Sequence, residues 1–202
     1  MLTQINFDCK KGITPMNRFV IMTVGKTHSG KTTFARNLEK EITNSVVIDQ
    51  DNHAEFLQST YPLLVPTKGH NKIKYALTQT IVDYAVNETS CHLILCNSNR
   101  NRKARINLLE YFRHKGFTTI IVNFDMPDDV LFERVENSKR NTEVLRTVQS
   151  FKDVLERQQK ESGINEIVDP VVGEADYIYV VRNSNEVHAV TQEIVNSLHS
   201  ED

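Results

Sequence analysis

Short apolar runs alternate with longer amphipathic stretches along most of the chain. Residues 19–24, 45–49, 92–96, 118–124 and 176–181 are rich in β-branched or other apolar side chains and are bounded by polar or turn-forming residues, which predicts five strands. The run at 92–96 (His-Leu-Ile-Leu-Cys) is almost continuously apolar, as expected of a strand covered on both faces. Helical spacing fits residues 33–40, and also 71–88, where Ile73, Leu77, Ile81, Tyr84 and Ala85 recur on one face. A basic amphipathic helix is predicted over 101–115, with Ile106, Leu109 and Phe112 inward and Gly116 closing it. Pro127 opens another helix through Leu131 and Val135, a charged one follows near 149–161, and a last one covers 186–198. Residues 52–70, broken by Pro62, Pro66 and Gly69, read as irregular. Residues 138–147 are mostly polar, and residues 1–17 read as an N-terminal extension with a turn around Lys11 and Gly12. Strands that alternate with helices favour a parallel sheet with helices on both faces, a three-layer α/β/α domain over 18–202.

Bulk properties narrow the class. A chain of 202 residues suits one such domain and buries roughly 70% of its unfolded surface without staples. A formal net charge of −2 does not point to nucleic acid. Cys9, Cys91 and Cys96 are widely spaced and odd in number, which argues against a disulfide framework or a zinc site; Cys91 and Cys96 read as buried, inert thiols. No apolar run approaches the roughly 20 residues of a membrane span. Residues 1–6 lack the basic-then-apolar order of a signal peptide, so the expected location is the cytoplasm.

The strongest chemical signal joins the first strand to the first helix. Gly25, Lys26, Thr27, His28, Ser29, Gly30, Lys31 and Thr32 spell G-x-x-x-x-G-K-[ST], with Thr33 continuing into the helix. Glycines let the backbone curl so that successive N–H groups point at one anion, and the helix N-terminus adds its own free N–H groups and dipole. Lys31 is placed to reach the β- and γ-phosphates and the Thr32 hydroxyl to ligate Mg²⁺. The chain is therefore expected to bind a nucleoside triphosphate.

Three further features bear on where the phosphate goes. Asp49 and Asp51 close the second strand, at the edge where ligands sit in open parallel sheets. A carboxylate there orients an acceptor hydroxyl, takes its proton or holds Mg²⁺; the alternative is that it caps the turn into the next segment. After the third strand, Asn97 occupies the place where many such proteins keep an acidic Mg²⁺ partner, and Asn97 and Asn99 suit hydroxyl recognition or a polar turn. Arg134, Lys139, Arg140 and Arg146 surround the polar stretch 138–147, which reads as a short lid whose arginines close over the transferring phosphoryl group.

Together these features resemble the AAA-type, ATP-binding P-loop kinases typified by polynucleotide 5′-hydroxyl kinase and the zeta toxins. The resemblance rests on the loop, the second-strand aspartate, Asn97-x-Asn99, the Phe124-Asp125-Met126-Pro127 end of the fourth strand and the spaced arginines, and spans most of 18–160. It implies a P-loop NTPase sheet in the order 2-3-1-4-5. It also implies Asp51 as general base, Lys31 and Thr32 on the phosphates and Mg²⁺, Arg134 and Arg140 in the lid, and a base seated between Arg134 and residues 182–185. Two departures stand out. Ala54 replaces the arginine of the polynucleotide kinases' D-x-x-R, and Asn97 replaces an aspartate, so a small hydroxyl-bearing acceptor is favoured over a nucleic-acid 5′-hydroxyl. His53 or Lys68 is a candidate for the missing positive charge. A GTPase would need N-K-x-D, which is absent, so the nucleotide is expected to be ATP with Mg²⁺. The alternative is an ATP-binding or ATP-hydrolysing module without an acceptor.

Overall fold

The structure is a computed structural model that describes residues 17–140, 142, 145 and 150–200. The extension at 1–16 and Arg146 of the polar stretch lie outside the described residues. Among the described residues, five strands and seven helices follow one another as β1 (Arg18–Gly25), α1 (Lys31–Glu41), β2 (Ser45–Ile48), α2 (Gln50–Thr60), α3 (Lys72–Glu88), β3 (His92–Leu95), α4 (Arg102–His114), β4 (Phe117–Phe124), α5 (Asp128–Glu136), α6 (Phe151–Glu161), β5 (Tyr177–Val181) and α7 (Glu186–Ser200). A single 3₁₀ turn at Pro62–Leu64 separates α2 from α3. All strand pairs are parallel, in the expected order β2-β3-β1-β4-β5.

Alternation along β1 explains its mainly apolar run. Phe19 and Ile21 enter one core layer with Phe34 and Leu38 of α1 and Ile194 of α7. Val20, Met22 and Val24 enter the other, with Val82 and Val86 of α3 and Leu109 and Phe112 of α4. Both faces are covered, and the polar Thr23 is accommodated because its hydroxyl donates to Asn97 O at 3.2 Å. The register sets Met22 beside Leu95 on one side and Ile121 on the other, and Gly25 beside Phe124. Every strand consequently ends at the same edge.

Three expectations from the sequence need correction. Residues 50–60, within the stretch read as irregular, form α2. Its periodicity is nearly invisible because Leu57 is its one buried residue, and its start is dictated by a local cap, with Asp49 Oδ1 accepting from Asp51 N at 2.9 Å. On α3 the inward face is Thr78, Val82, Ala85 and Val86, while Tyr84 is exposed and Ile73, Leu77 and Ile81 are half-buried. This helix packs on α2 as well as on the sheet, so its apolar residues serve two neighbours, and Ile73 and Leu77 line a groove with Phe56, Leu57 and Tyr61 of the α2 side. On α4, Arg105 takes the buried position expected of an apolar side chain, and Ile106 is half-buried.

Arg105 is 1% exposed and fully partnered. It donates to Glu174 Oε2 (2.8 Å) and to the carbonyls of Asn99 (3.0 Å), Arg100 (3.2 Å) and Val168 (3.2 Å). Glu174 also accepts from Arg102 at 3.1 Å. Burial alone would raise the Glu174 carboxyl, but the Arg105 guanidinium outweighs it and holds the group below its usual range. The cluster ties the turn after β3 to the segment before β5. Removing the carboxylate leaves a buried, uncompensated guanidinium, a loss of about 3–5 kcal/mol. Glu174→Ala is expected to lower the unfolding free energy by that amount in urea titration; a loss below about 1 kcal/mol would show that the pair does not hold this segment.

Candidate active site

The loop between β1 and α1 takes its shape from two glycines. Gly25 has φ +146°, and a Cβ there would lie 2.8 Å from Phe124 O, so β1 and β4 approach too closely for any side chain. Gly30 (φ +103°) is the N-cap of α1 and supplies no side chain to its free N–H groups. Gly30, Lys31, Thr32 and Thr33 line a cavity of about 1150 Å³ with the α1 N-terminus at its floor. Gly25 and Lys26 do not line it; Lys26 Nζ pairs with Asp128 Oδ1 at 2.5 Å.

Within the loop, the groups that would meet an anion are turned onto the protein itself. Lys31 Nζ donates to Lys26 O and, at 3.0 Å, to Ser29 Oγ. Burial lowers its pKa to about 8. Thr27 N donates to Gln158 Oε1 of α6 at 2.7 Å. His28 bonds Thr27 Oγ1 at 3.0 Å and Ser138 Oγ at 2.9 Å, and its ring sits edge-on to Phe151 at 4.9 Å. Burial first, then Arg140, Lys31 and Arg134, hold the His28 pKa down, so the ring is neutral.

The strand ends bring the carboxylates to the same cavity. Asp49 is 4% exposed and caps α2; burial raises its pKa. Asp51, on the first turn of α2, accepts from Arg140 Nη2 at 2.8 Å, and the Arg140 guanidinium lies 5.0 Å from the Phe151 ring centroid. Arg134 donates to His28 O (3.2 Å) and Ser184 Oγ (2.9 Å), joining the loop to the turn after β5. Thus Lys31, Thr32, Asp49, Asp51, Asn97, Arg134 and Arg140 share one cavity.

Other sequence candidates fall elsewhere. Asn99 does not line the cavity; it donates to Thr23 O at 2.9 Å and holds the turn after β3 in place. Asn97 lines it, but its Oδ1 accepts from Gln50 N at 3.4 Å. The side chain beside Thr32 is that of Cys96, whose thiol donates to Thr32 Oγ1 at 3.6 Å and is pushed up to about 11 by burial. Lys139 and Lys68 are exposed and off the cavity, and His53 is engaged with Thr78 Oγ1 at 2.7 Å. Sequence reading missed Cys96, Glu55, Lys74, Tyr75, Phe151 and Gln158, which also line it. None belongs to a local motif; Glu55 alone had a signal, its four-residue spacing from Asp51. Among the described residues no group of three or more His, Cys, Asp or Glu is placed to hold a metal ion. None of the described helices is long and apolar enough to cross a membrane.

A family model described as an AAA domain matches residues 20–160. Among solved structures, the chain is similar to a provisionally assigned kinase of Chloroflexus aurantiacus J-10-fl (17% identity, TM-score 0.62, covering 93% of this chain and 99% of that one). It is similar to the shikimate kinase of Bacteroides thetaiotaomicron (17% identity, TM-score 0.54, 90% and 98%). It is also similar to the APS kinase of Mycobacterium tuberculosis, solved with AMPPNP and APS (15% identity, TM-score 0.56, 91% and 98%). At these identities the likeness is one of fold, in accord with the P-loop α/β architecture. The finer resemblance to polynucleotide kinases and zeta toxins is carried by the sequence motifs alone. Among curated proteins none matches the chain significantly.

The buried ammonium of Lys31 has a measurable consequence. Its folded-state pKa of about 8 lies below its ordinary 10.5. Between the two values the unfolded chain binds the proton more tightly, so this residue makes stability rise with pH across that window. The full effect is about 3 kcal/mol. In urea unfolding of nucleotide-free protein at several pH values, wild type is expected to gain on Lys31→Met as pH rises from 8 to 10.5. Parallel curves for the two proteins would show that the ammonium is not buried.

Proposed function

This chain belongs to the AAA domain family, and on that premise we propose that it is an ATP-dependent kinase that transfers the γ-phosphoryl group to a hydroxyl of a small-molecule acceptor. The observation that carries this reading is the position of Asp51: a carboxylate on the same cavity as Lys31, bridged at 2.8 Å to an arginine from the opposite wall. A carboxylate able to take a hydroxyl proton, paired with an arginine able to meet a phosphoryl group, supports transfer to an acceptor.

The loop N–H groups, the α1 N-terminus and Lys31 bind the triphosphate. Arg134 and Ser184 stand on the rim where the base is expected to lie, and the missing N-K-x-D favours adenine. Asp51 orients the acceptor and takes its hydroxyl proton as the acceptor oxygen bonds to the γ-phosphorus. The bond from that phosphorus to the β,γ-bridging oxygen breaks and ADP leaves. Arg140, released from Asp51, stabilises the charge on the equatorial oxygens. The donor set fits Mg²⁺ carried by phosphates rather than by a protein cage: Thr32 would supply a hydroxyl and Asp49 a carboxylate. When bound, the ion neutralises phosphate charge during transfer.

Incubation with γ-labelled ATP and pooled metabolites tests the reading. Transfer of label to an organic product supports it; label appearing only as inorganic phosphate would make the chain a hydrolysing module. Asp51→Asn is expected to slow transfer by roughly 10²–10⁴-fold. Its ATP affinity should be unchanged or tighter, since Arg140 is freed. Loss of transfer in Asp49→Asn with normal transfer in Asp51→Asn would move the base to Asp49.

Arg140→Ala is expected to lower turnover by about 10³-fold or more with little loss of ground-state ATP affinity. Arg140→Lys should rescue poorly, because a point charge lacks the planar fork. Normal turnover in Arg140→Ala would leave Arg134 or Arg100 as the arginine to examine.

A further inference from the structure

The half of the cavity away from the loop is walled by α2 and by the start of α3. Asp51 and Glu55, four residues apart on α2, both line it, with Asp49 at the helix cap and Asn71 and Tyr75 from α3 and its cap. Two carboxylates at this spacing repel each other and weaken a helix. The chain nevertheless turns both toward one cavity. Asp51 already holds an organic cation there, the guanidinium of Arg140 at 2.8 Å. Glu55 has no hydrogen-bond or ion-pair partner among the described residues. Asn71 is 8% exposed; its Oδ1 accepts from Lys74 N at 3.1 Å, and its Nδ2 has no partner among the described residues. Lys74, the ammonium on this wall, lies 4.8 Å from the Tyr75 ring centroid and pairs with neither carboxylate. The acids do not converge as a metal site would require. Spaced as they are, they suit separate groups of one organic molecule.

We infer that the acceptor is a hydroxyl-bearing amine, an amino alcohol or amino sugar, with its hydroxyl at Asp51 and its ammonium at Glu55. This deepens the transfer reading and rests on it. Once a triphosphate draws Arg140 away, the wall presents carboxylates with the Lys74 ammonium and the His70 imidazole beside them. A phosphorylated or carboxylated acceptor would sit against Asp49, Asp51 and Glu55 and next to the triphosphate's own charge. A cationic acceptor replaces the guanidinium that leaves. Side chains at i and i+4 stand about 5–6 Å apart at Cβ, a span that the hydroxyl and amine of a short amino alcohol or a hexosamine cover. The amine stays protonated and takes no part in the transfer, so Glu55 is a specificity-determining residue.

Ion exchange at pH 7 divides a small-molecule extract into cationic, neutral and anionic pools, and each pool is incubated with the protein and γ-labelled ATP. Label is expected in an organic product from the cationic pool. Glu55→Gln, at an exposed position that leaves the fold intact, should raise the amount of that pool needed for half-maximal labelling at least about tenfold while the maximal rate stays within about twofold. Glu55→Asp should recover part of the loss. Label from the neutral or anionic pool with the cationic pool blank would overturn the inference and leave the transfer reading standing. Label from the cationic pool that Glu55→Gln does not alter would overturn the role of Glu55 and, with it, the inference. Label in no pool would overturn the transfer reading itself.

Discussion

The contact between Gly25 and Phe124 is the constraint on which the rest of the site depends. β1 is the central strand, buried on both faces; it pairs with β4 along its whole length and with β3 from Val20 to Met22. At its last residue no room remains for a Cβ. The chain must leave the sheet there with φ positive and turn back sharply, and that turn sets the free N–H groups of α1 in the line of the strand. Because β2, β3 and β4 end at the same edge, the turns that follow them enter the same space. Asp49, Cys96 and Phe124 are neighbours of the loop for this reason, though they lie far apart in sequence.

Gathering so many polar groups around one cavity carries a cost that the protein meets from within. Lys31 turns onto Lys26 O and Ser29 Oγ, Gln158 accepts from Thr27 N, and Arg140 rests on Asp51. Each contact occupies a donor or acceptor that the proposed chemistry needs. Binding of a triphosphate then exchanges one set of hydrogen bonds for another rather than creating charge-assisted bonds from nothing, so affinity is smaller than the count of donors suggests. The same exchange links the two halves of the cavity, because the arginine that would meet phosphate is the one that covers the carboxylate.

Legibility in the sequence followed distance along the chain. The strands and the loop were readable because buried parallel strands are apolar on both faces and the loop motif is contiguous; the sheet order came from the family resemblance. Asp51 and Arg140 were read as candidates one at a time, yet nothing local told that they touch across 89 residues. The helix α2 escaped because a single buried residue leaves no stripe to detect and its cap, Asp49, read equally well as a functional group; it lines the cavity and caps at once. Arg105 escaped for the opposite reason. A charge in an amphipathic helix reads as solvent-facing, and only Glu174, 69 residues away, reveals that it is buried. Asn99 looked chemical because of its spacing, but its φ of 45° and its bond to Thr23 make it the hinge of a turn.

Cys96 bears on how charge is distributed in the proposed reaction. Beside the Thr32 hydroxyl stands a thiol that burial keeps protonated, not a carboxylate. A neutral, soft group there contributes nothing to holding a hard divalent cation. The negative charge nearest that position is Asp49, which is buried, raised by its surroundings and already accepting from Asp51 N. A metal ion arriving on a triphosphate would therefore meet less opposing charge from the protein than in a site with an acid at the end of β3. In the proposed reaction the two arginines and Lys31 would then supplement such an ion, not replace it. This arrangement also leaves Asp51, the one carboxylate on the cavity that is both exposed and bound to a releasable partner, free to serve the acceptor.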